Sequence, residues 1–240
     1  MMFESDLKKN KKDAFFSCLP EYAQLYAIPY SLSKKNFKKH GRQSGVHQKA
    51  LQKIKDFEKI KNRSIITIFI GESTNIVAVK NGNPIEFSDG FSEAGGILSA
   101  TGCGDIDSTI VFQLMADGVS VSEVENLLST QSGFKALAGV HSRLKDVFSR
   151  KDPRAKFAKQ VFCYQLLKYV GAYVAILGGL DFILFIGENQ KENKSLVFEL
   201  MRQLKLLDIK RKSNIAWEDV SLLTANDSSV KCYFLQSDKI

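Results

Sequence analysis

At 240 residues, 44% hydrophobic and 25% charged, the chain has the composition of an ordinary globular protein, long enough for one sizeable core or two small ones. Its net charge of +8 is concentrated: from Lys8 to Arg63 fifteen Lys and Arg stand against Asp13, Glu21, Asp56 and Glu58, and the remainder is close to neutral. No reading element or run of stacking aromatics accompanies that basic stretch, so it predicts a solvated face in preference to a nucleic-acid surface.

The N-terminus, MMFESDLKKNKKDAFF, places acids before its lysines and lacks an apolar stretch followed by a small-residue cleavage site, which excludes a secretory signal. No uninterrupted apolar run reaches the length of a membrane span, and the expected compartment is the cytoplasm. Cys18, Cys103, Cys163 and Cys232 are scattered, with no CxxC and no histidine at metal-ligand spacing, which predicts reduced thiols.

Residues 1–63 read as a basic, helical lead-in and residues 64–240 as an α/β domain. Pro20 and Pro29 bracket EYAQLYAI, a helix-like turn with Tyr22, Leu25 and Tyr26 on one side; His47 to Ile60 repeats Leu51, Ile54 and Phe57 at helical spacing. From Ser64 the pattern becomes β: SIITIFI, then NIVAVK, then Asn81-Gly82 as a hairpin turn before PIEFS, giving three antiparallel strands. The turn Gly71-Glu72-Ser73-Thr74 joins the first two.

Gly90 to Asp107, GFSEAGGILSATGCGDID, follows. A glycine-rich loop running into a helix start lets backbone N–H groups approach an anion, so phosphate is the first ligand to consider; a connector between hairpin and helix is the plainer reading. No Lys-Ser/Thr pair completes a P-loop, and GxGxxG is absent.

Helices then take over. Asp105 to Ala116 carries Ile110, Val111, Leu114 and Met115 on one face, and Ser120-Val121-Ser122-Glu123 is a capping box. Asp152-Pro153 opens a helix running to Leu177, which Gly178-Gly179 ends; its middle, VFCYQLLKYVGAYVAIL, is apolar almost all round and predicts burial on several sides or a dimer interface. DFILFI is a buried strand, a helix with Leu196, Leu200, Met201 and Leu204 follows, Val220 to Thr224 is a short strand, and Val230 to Leu235 fits a strand or a helix. The order predicts an α/β layer fold with a ligand crevice at the strand ends.

GDIDSTIVFQLMADGVSVSEVENLLSTQSGFKALAGV, followed by KQVFCYQLLKYVGAYVAILGGLDFILFIGEN, with LPEYAQLYAIPY near the start and VAVKNGNPIEFSDGF before the glycines, resembles the C-terminal half of the acetate kinases, from about Asp13 onward. The resemblance implies a ribonuclease H-like, actin-like ATPase domain. It implies transfer of the ATP γ-phosphate to acetate with Mg²⁺, and a homodimer formed through this domain. It also implies that the family's whole first domain is missing here, to be supplied by a separate N-terminal half if the enzyme is split, with Met1 either a true start or a restart after a frameshift.

Several motif positions differ. The family's RSGDID is GCGDID here, putting Gly102 where an arginine stabilises the transferring phosphoryl group. HLGNG becomes Phe69-Ile70-Gly71-Glu72-Ser73, bringing in a carboxylate; GFHGTSH becomes GRQSGVH, keeping only His47 of two histidines; SDMR becomes Ser142-Arg143-Leu144-Lys145; and TGGIGEN shortens to Ile186-Gly187-Glu188-Asn189. The resemblance therefore implies Gly71, Ser142, Lys145, Ile186, Gly187 and Asn189 as nucleotide-binding positions, Asp13 as the catalytic aspartate if one residue is deleted (Lys12 without a gap), and Asp227, the acid nearest the match to TNEE, at the metal. An exposed carboxylate without a role remains the alternative for both aspartates, and a non-catalytic dimeric relative the alternative for the whole chain.

Overall fold

A computed structural model describes residues 15–24, 26–27, 37–92, 94–139, 143–188 and 191–240. Its elements are α1 (Glu21–Gln24), α2 (Ser44–Ile54), β1 (Ser64–Ile70), β2 (Asn75–Lys80), β3 (Asn83–Phe87), α3 (Ser108–Ala116), α4 (Val121–Thr130), α5 (Gly133–Ala138), α6 (Leu144–Ser149), α7 (Pro153–Leu177), β4 (Phe182–Gly187), α8 (Lys191–Gln203), β5 (Val220–Leu222) and β6 (Lys231–Gln236). Of the expected helical turn after Pro20, Leu25 and Pro29 lie outside the described residues.

The strands form one mixed sheet in the order β3-β2-β1-β4-β6-β5. β1, β4 and β6 are parallel neighbours, while β2, β3 and β5 run antiparallel to theirs. Strand 231–236 is β because Ile183 and Phe185 of β4 pair in register with Cys232 and Phe234, an environment that rewards an extended apolar run. Period-2 alternation divides the sheet between two cores. Ile66, Ile68, Ile183, Phe185, Cys232 and Phe234 face α7 and its neighbours, and Ile65, Leu184, Ile186 and Leu235 face Leu51 and Ile54 of α2. Helix α2, in the described part of the basic segment, thus covers one face of the sheet, and three cations of that part act as staples: Lys39 to Glu86 (3.3 Å), Arg42 to Asp89 (3.5 Å) and Arg63 to Asp181 (2.7 Å).

Helix α2 ends at Ile54 and not at Ile60; Phe57 lies beyond it, exposed. Helix α7 starts at Pro153, its N-cap Asp152 accepting from the Ala155 N–H, and stops at Gly178, whose φ of 72° no β-substituted residue adopts cheaply. By length and hydropathy alone α7 qualifies to cross a membrane. In the fold it is a core helix: Phe162, Leu166, Val170, Tyr173 and Leu177 pack against the sheet. The expectation of burial on several sides is corrected within the single chain, because Phe157, Tyr164 and Ile176 remain exposed on the outer side. Helix α3 departs further. It begins at Ser108, and none of its residues is buried, so Ile110, Phe112 and Met115 face solvent.

Candidate functional site

Parallel order brings the C-terminal ends of β1, β4 and β6 to one edge of the sheet, where a crevice of about 200 Å³ opens. Phe69, Gly71 and Glu72 enter from β1 and its turn, Glu188 from β4, Ser237 from β6, and Arg143 and Lys145 from the start of α6. Gly187 allows the close approach, since a Cβ there would meet Ile70 O at 3.1 Å and Asn193 Nδ2 at 3.2 Å. Asn193 donates to Glu188 O (2.9 Å) and the Ser237 N–H to Gly187 O (2.9 Å), fixing the floor. The charges are mixed: Arg143 Nη1 lies 4.0 Å from Glu72 Oε1, on a carboxylate 84% exposed.

Of the positions the sequence suggested, Gly71 and Lys145 line this crevice and Gly187 borders it. Ile186 points the other way, into the core beneath α2. Asp13, Ser142 and Asn189 lie outside the described residues. Asp227 requires a correction. It precedes β6, at the opposite end of the sheet from the crevice, where Lys210 Nζ holds it at 3.0 Å and keeps its carboxyl below the usual range. The acid that follows β6 at the crevice end is Asp238, exposed and next to Ser237. Sequence reading missed Glu188, Ser237 and Asp238 because only the parallel pairing of β4 with β6 brings their strand ends together. No group of three His, Cys, Asp or Glu suited to hold a metal occurs among the described residues.

The glycine-rich stretch is tied together as a connector, the plainer of its two readings. Six of its N–H groups are committed within the chain: Gly96 to Asp105 Oδ1 (2.7 Å), Leu98 to Gln165 Oε1 (2.9 Å), Ser99 to Gly102 O (3.1 Å), Gly102 to Ser99 Oγ (2.9 Å), Cys103 to Leu128 O (2.9 Å) and Asp105 to Gly96 O (2.8 Å). The Tyr169 hydroxyl also donates to the Asp105 carboxylate. Asp105 therefore ties the loop together, and Asp107 alone caps α3, accepting from the Thr109 N–H at 2.8 Å. Across a second hollow of about 360 Å³ this loop meets the turn after β1: Gly102 and Ala100 line one side, Ser73 and Thr74 the other, and Glu125 of α4 the third.

A buried polar chain reaches the second hollow through Arg42. His47 of α2 lies between Thr67 of β1 (Nδ1 to Oγ1, 2.6 Å) and Asn75 of β2 (Nε2 to Oδ1, 2.8 Å). Asn75 uses its Nδ2 to donate to Arg42 O (3.0 Å) and Asp89 Oδ2 (3.4 Å), so its oxygen faces the histidine, Nε2 carries the proton and Nδ1 accepts from Thr67. Burial lowers His47 from 6.5 to about 4, against the Asn75 hydrogen bond. Burial likewise raises Asp89, opposed by Arg42, whose N–H donates to it at 2.7 Å.

Against known proteins, residues 12–239 match the model of the acetokinase family. The chain is 33% identical over 236 residues to the acetate kinase of Phocaeicola vulgatus, covering 94% of this chain and 59% of that protein. It is 35% identical over 228 residues to the acetate kinase of Thermoanaerobacterium thermosaccharolyticum, covering 90% and 57%. Among solved structures it superposes on acetate kinase from Porphyromonas gingivalis (TM-score 0.82, 24% identity, 94% of this chain and 59% of that one). It also superposes on a propionate kinase from Francisella tularensis (TM-score 0.83, 27% identity, 94% and 60%). The chain therefore spans about three fifths of the length of these relatives, and its fold is that of their actin-like ATPase domain.

Proposed function

The chain belongs to the acetokinase family, and from that premise we propose that it forms the nucleotide side of a carboxylate phosphotransferase. In this reading a carboxylate oxygen of acetate or a close homologue attacks the γ-phosphorus of ATP, the bond to the β,γ-bridging oxygen breaks, and acyl phosphate and ADP leave. The observation carrying the proposal is the crevice at the ends of β1, β4 and β6, which Gly71 and Lys145 line and Gly187 borders. Lys145 and Arg143 supply positive charge for phosphate oxygens there. Mg²⁺, when bound, offsets charge on those oxygens. With only Glu72 and Glu188 as carboxylates lining the crevice, the donor set suits an ion that arrives on the nucleotide and keeps most of its water.

Turnover is proposed to be impaired. Gly102 offers no cation where the family places an arginine, an absence comparable with loss of an arginine finger, roughly 10³-fold or more in rate. Glu72 adds a negative charge beside the crevice. Because the relatives are longer, full catalysis is proposed to need the remaining part of such an enzyme, and the compartment is proposed to be the cytoplasm. Titration calorimetry with MgATP tests the core of the proposal: binding is expected, and weakened by Lys145→Ala. Absence of heat in the intact chain would sink it.

A second reading, a non-catalytic dimer, is favoured by the same Gly102 and by the exposed apolar residues of α3 and of the outer side of α7. Formation of acetyl phosphate by the chain alone at ordinary kinase rates would exclude it.

A further inference from the structure

The hollow beside Gly102 has a chemistry of its own. Its walls are made by small residues, Ala94, Ala100 and Gly102, which leave about 360 Å³ of space against the turn that follows β1. Two side chains lining that space have a buried oxygen with no hydrogen-bond partner: Thr74, 5% exposed, through Oγ1, and Glu125 through Oε1. They belong to different elements, the β1–β2 turn and α4, so no local turn geometry accounts for both. Buried polar atoms are satisfied in the great majority of native structures, and two orphans sharing one hollow point to a ligand that satisfies them.

The ligand must donate. Glu125 as a carboxylate only accepts, Glu72 brings a second carboxylate to the rim, and Arg42, the one cation among the described residues of the lining, is engaged by Asp89 at 3.5 Å. In the glycine loop the Ser99 and Gly102 N–H groups beside the hollow are already committed, to Gly102 O and Ser99 Oγ. A bare metal ion is disfavoured, since no group of three His, Cys, Asp or Glu gathers among the described residues. A guanidinium is planar, carries donors diverging along two edges, is weakly hydrated, and can reach acceptors on two different elements at once.

We propose that the hollow bounded by Gly102, Thr74 and Glu125 is a guanidinium-binding site. It takes an arginine side chain carried by another polypeptide, or a small guanidinium compound. The proposal does not rest on phosphotransfer and holds for the non-catalytic reading as well.

Titration of the full chain with methylguanidinium chloride at constant ionic strength, followed by amide NMR shifts, tests it. Saturable shifts are expected at Thr74, Gly102 and Glu125. Glu125→Gln and Thr74→Val are each expected to weaken binding about tenfold or more, as loss of a charge-assisted or buried hydrogen bond does. Thr74→Val is also expected to leave the urea midpoint unchanged or raised, because its hydroxyl has no partner to lose; a merely structural role would lower it. A parallel titration with Nα-acetyl-arginine methylamide separates the sources: tighter binding than methylguanidinium assigns the site to a polypeptide arginine, equal or weaker binding to a small compound. Non-saturable shifts, unchanged affinity in both variants, or inorganic phosphate shifting the same three amides would overturn the proposal. No nucleotide is present, so the result is independent of the MgATP experiment.

Discussion

His47 is the most consequential single titration in the fold. Its ring is fully buried between Thr67 and Asn75, and its proton affinity falls from 6.5 to about 4. As pH drops below 6.5 the unfolded chain binds a proton that the folded chain refuses until near pH 4, so the contribution is present above 6.5 and lost as pH falls through that window. At about 1.36 kcal/mol per pH unit the full loss is about 3 kcal/mol, and between pH 7 and pH 5 it is about 2 kcal/mol. Urea unfolding followed by the fluorescence of Trp217, the single tryptophan, at pH 7 and at pH 5 reads this directly. The comparison is His47→Gln, which keeps a side-chain donor and acceptor, is expected to cost about 1–2 kcal/mol at pH 7, and has no proton to take up. Asp89 reaches His47 through Asn75 and is raised by burial, so it contributes with the opposite sign, gaining stability as pH falls; it is present in both proteins and cancels in the difference. The wild-type chain should lose about 2 kcal/mol more than the variant between the two pH values. Equal losses would refute the reasoning that a buried neutral histidine sets the acid limb.

Three further outcomes follow from the geometry. Gly104→Ala is expected to destabilise by at least about 2 kcal/mol in urea titrations, because φ is +72° and the new Cβ would meet Gly96 O and Leu98 N, both backbone atoms, at 2.7 Å; a cost under about 0.5 kcal/mol would mean the loop is not held as described. Phe112→Asp, at a position 67% exposed on α3, should leave the unfolding midpoint of the monomer within about 0.5 kcal/mol while shifting dimer to monomer in light scattering; a wild-type chain already monomeric at assay concentrations removes the dimer proposal. In native thiol titration Cys18, exposed, should react first and Cys103, half-buried, more slowly. Cys163, pushed up to about 12 by burial, and Cys232, fully buried and also raised, should wait for unfolding; rapid reaction of all four thiols would contradict the core packing.

Much of the fold was legible because its signals are local. The β-branched run at Ser64–Ile70 and Asn81-Gly82 fixed the hairpin, and Ser120 with Glu123 forms both halves of its capping box, Glu123 N–H to Ser120 Oγ at 3.3 Å and Ser120 N–H to Glu123 Oε2 at 2.9 Å. Asp152-Pro153 and Gly178 likewise set the bounds of α7. The candidate site was only partly legible. The motifs pointed to Gly71, Lys145 and Gly187, which lie at the crevice, yet Asp105 read as the first residue of a helix and proved to be the tie of the glycine loop, because its partners Gly96 and Tyr169 lie 9 and 64 residues away in the chain. Asp227 was placed at the metal on a short, loose match, whereas strand direction puts it at the far end of the sheet.

The sequence by itself determined most of the elements and the family, though not that 231–236 is a strand, since hydrophobic period, turn chemistry and ordered motifs are properties of neighbours along the chain. Only the tertiary structure decided which strand ends share a crevice, that α2 covers one face of the sheet, and that the glycine-rich loop is tied to Gln165, Leu128 and Tyr169. Those outcomes depend on hydrogen bonds between residues far apart in sequence. The direction of β6 beside β4 is such an outcome, and it carries Ser237 to the crevice and leaves Asp227 behind.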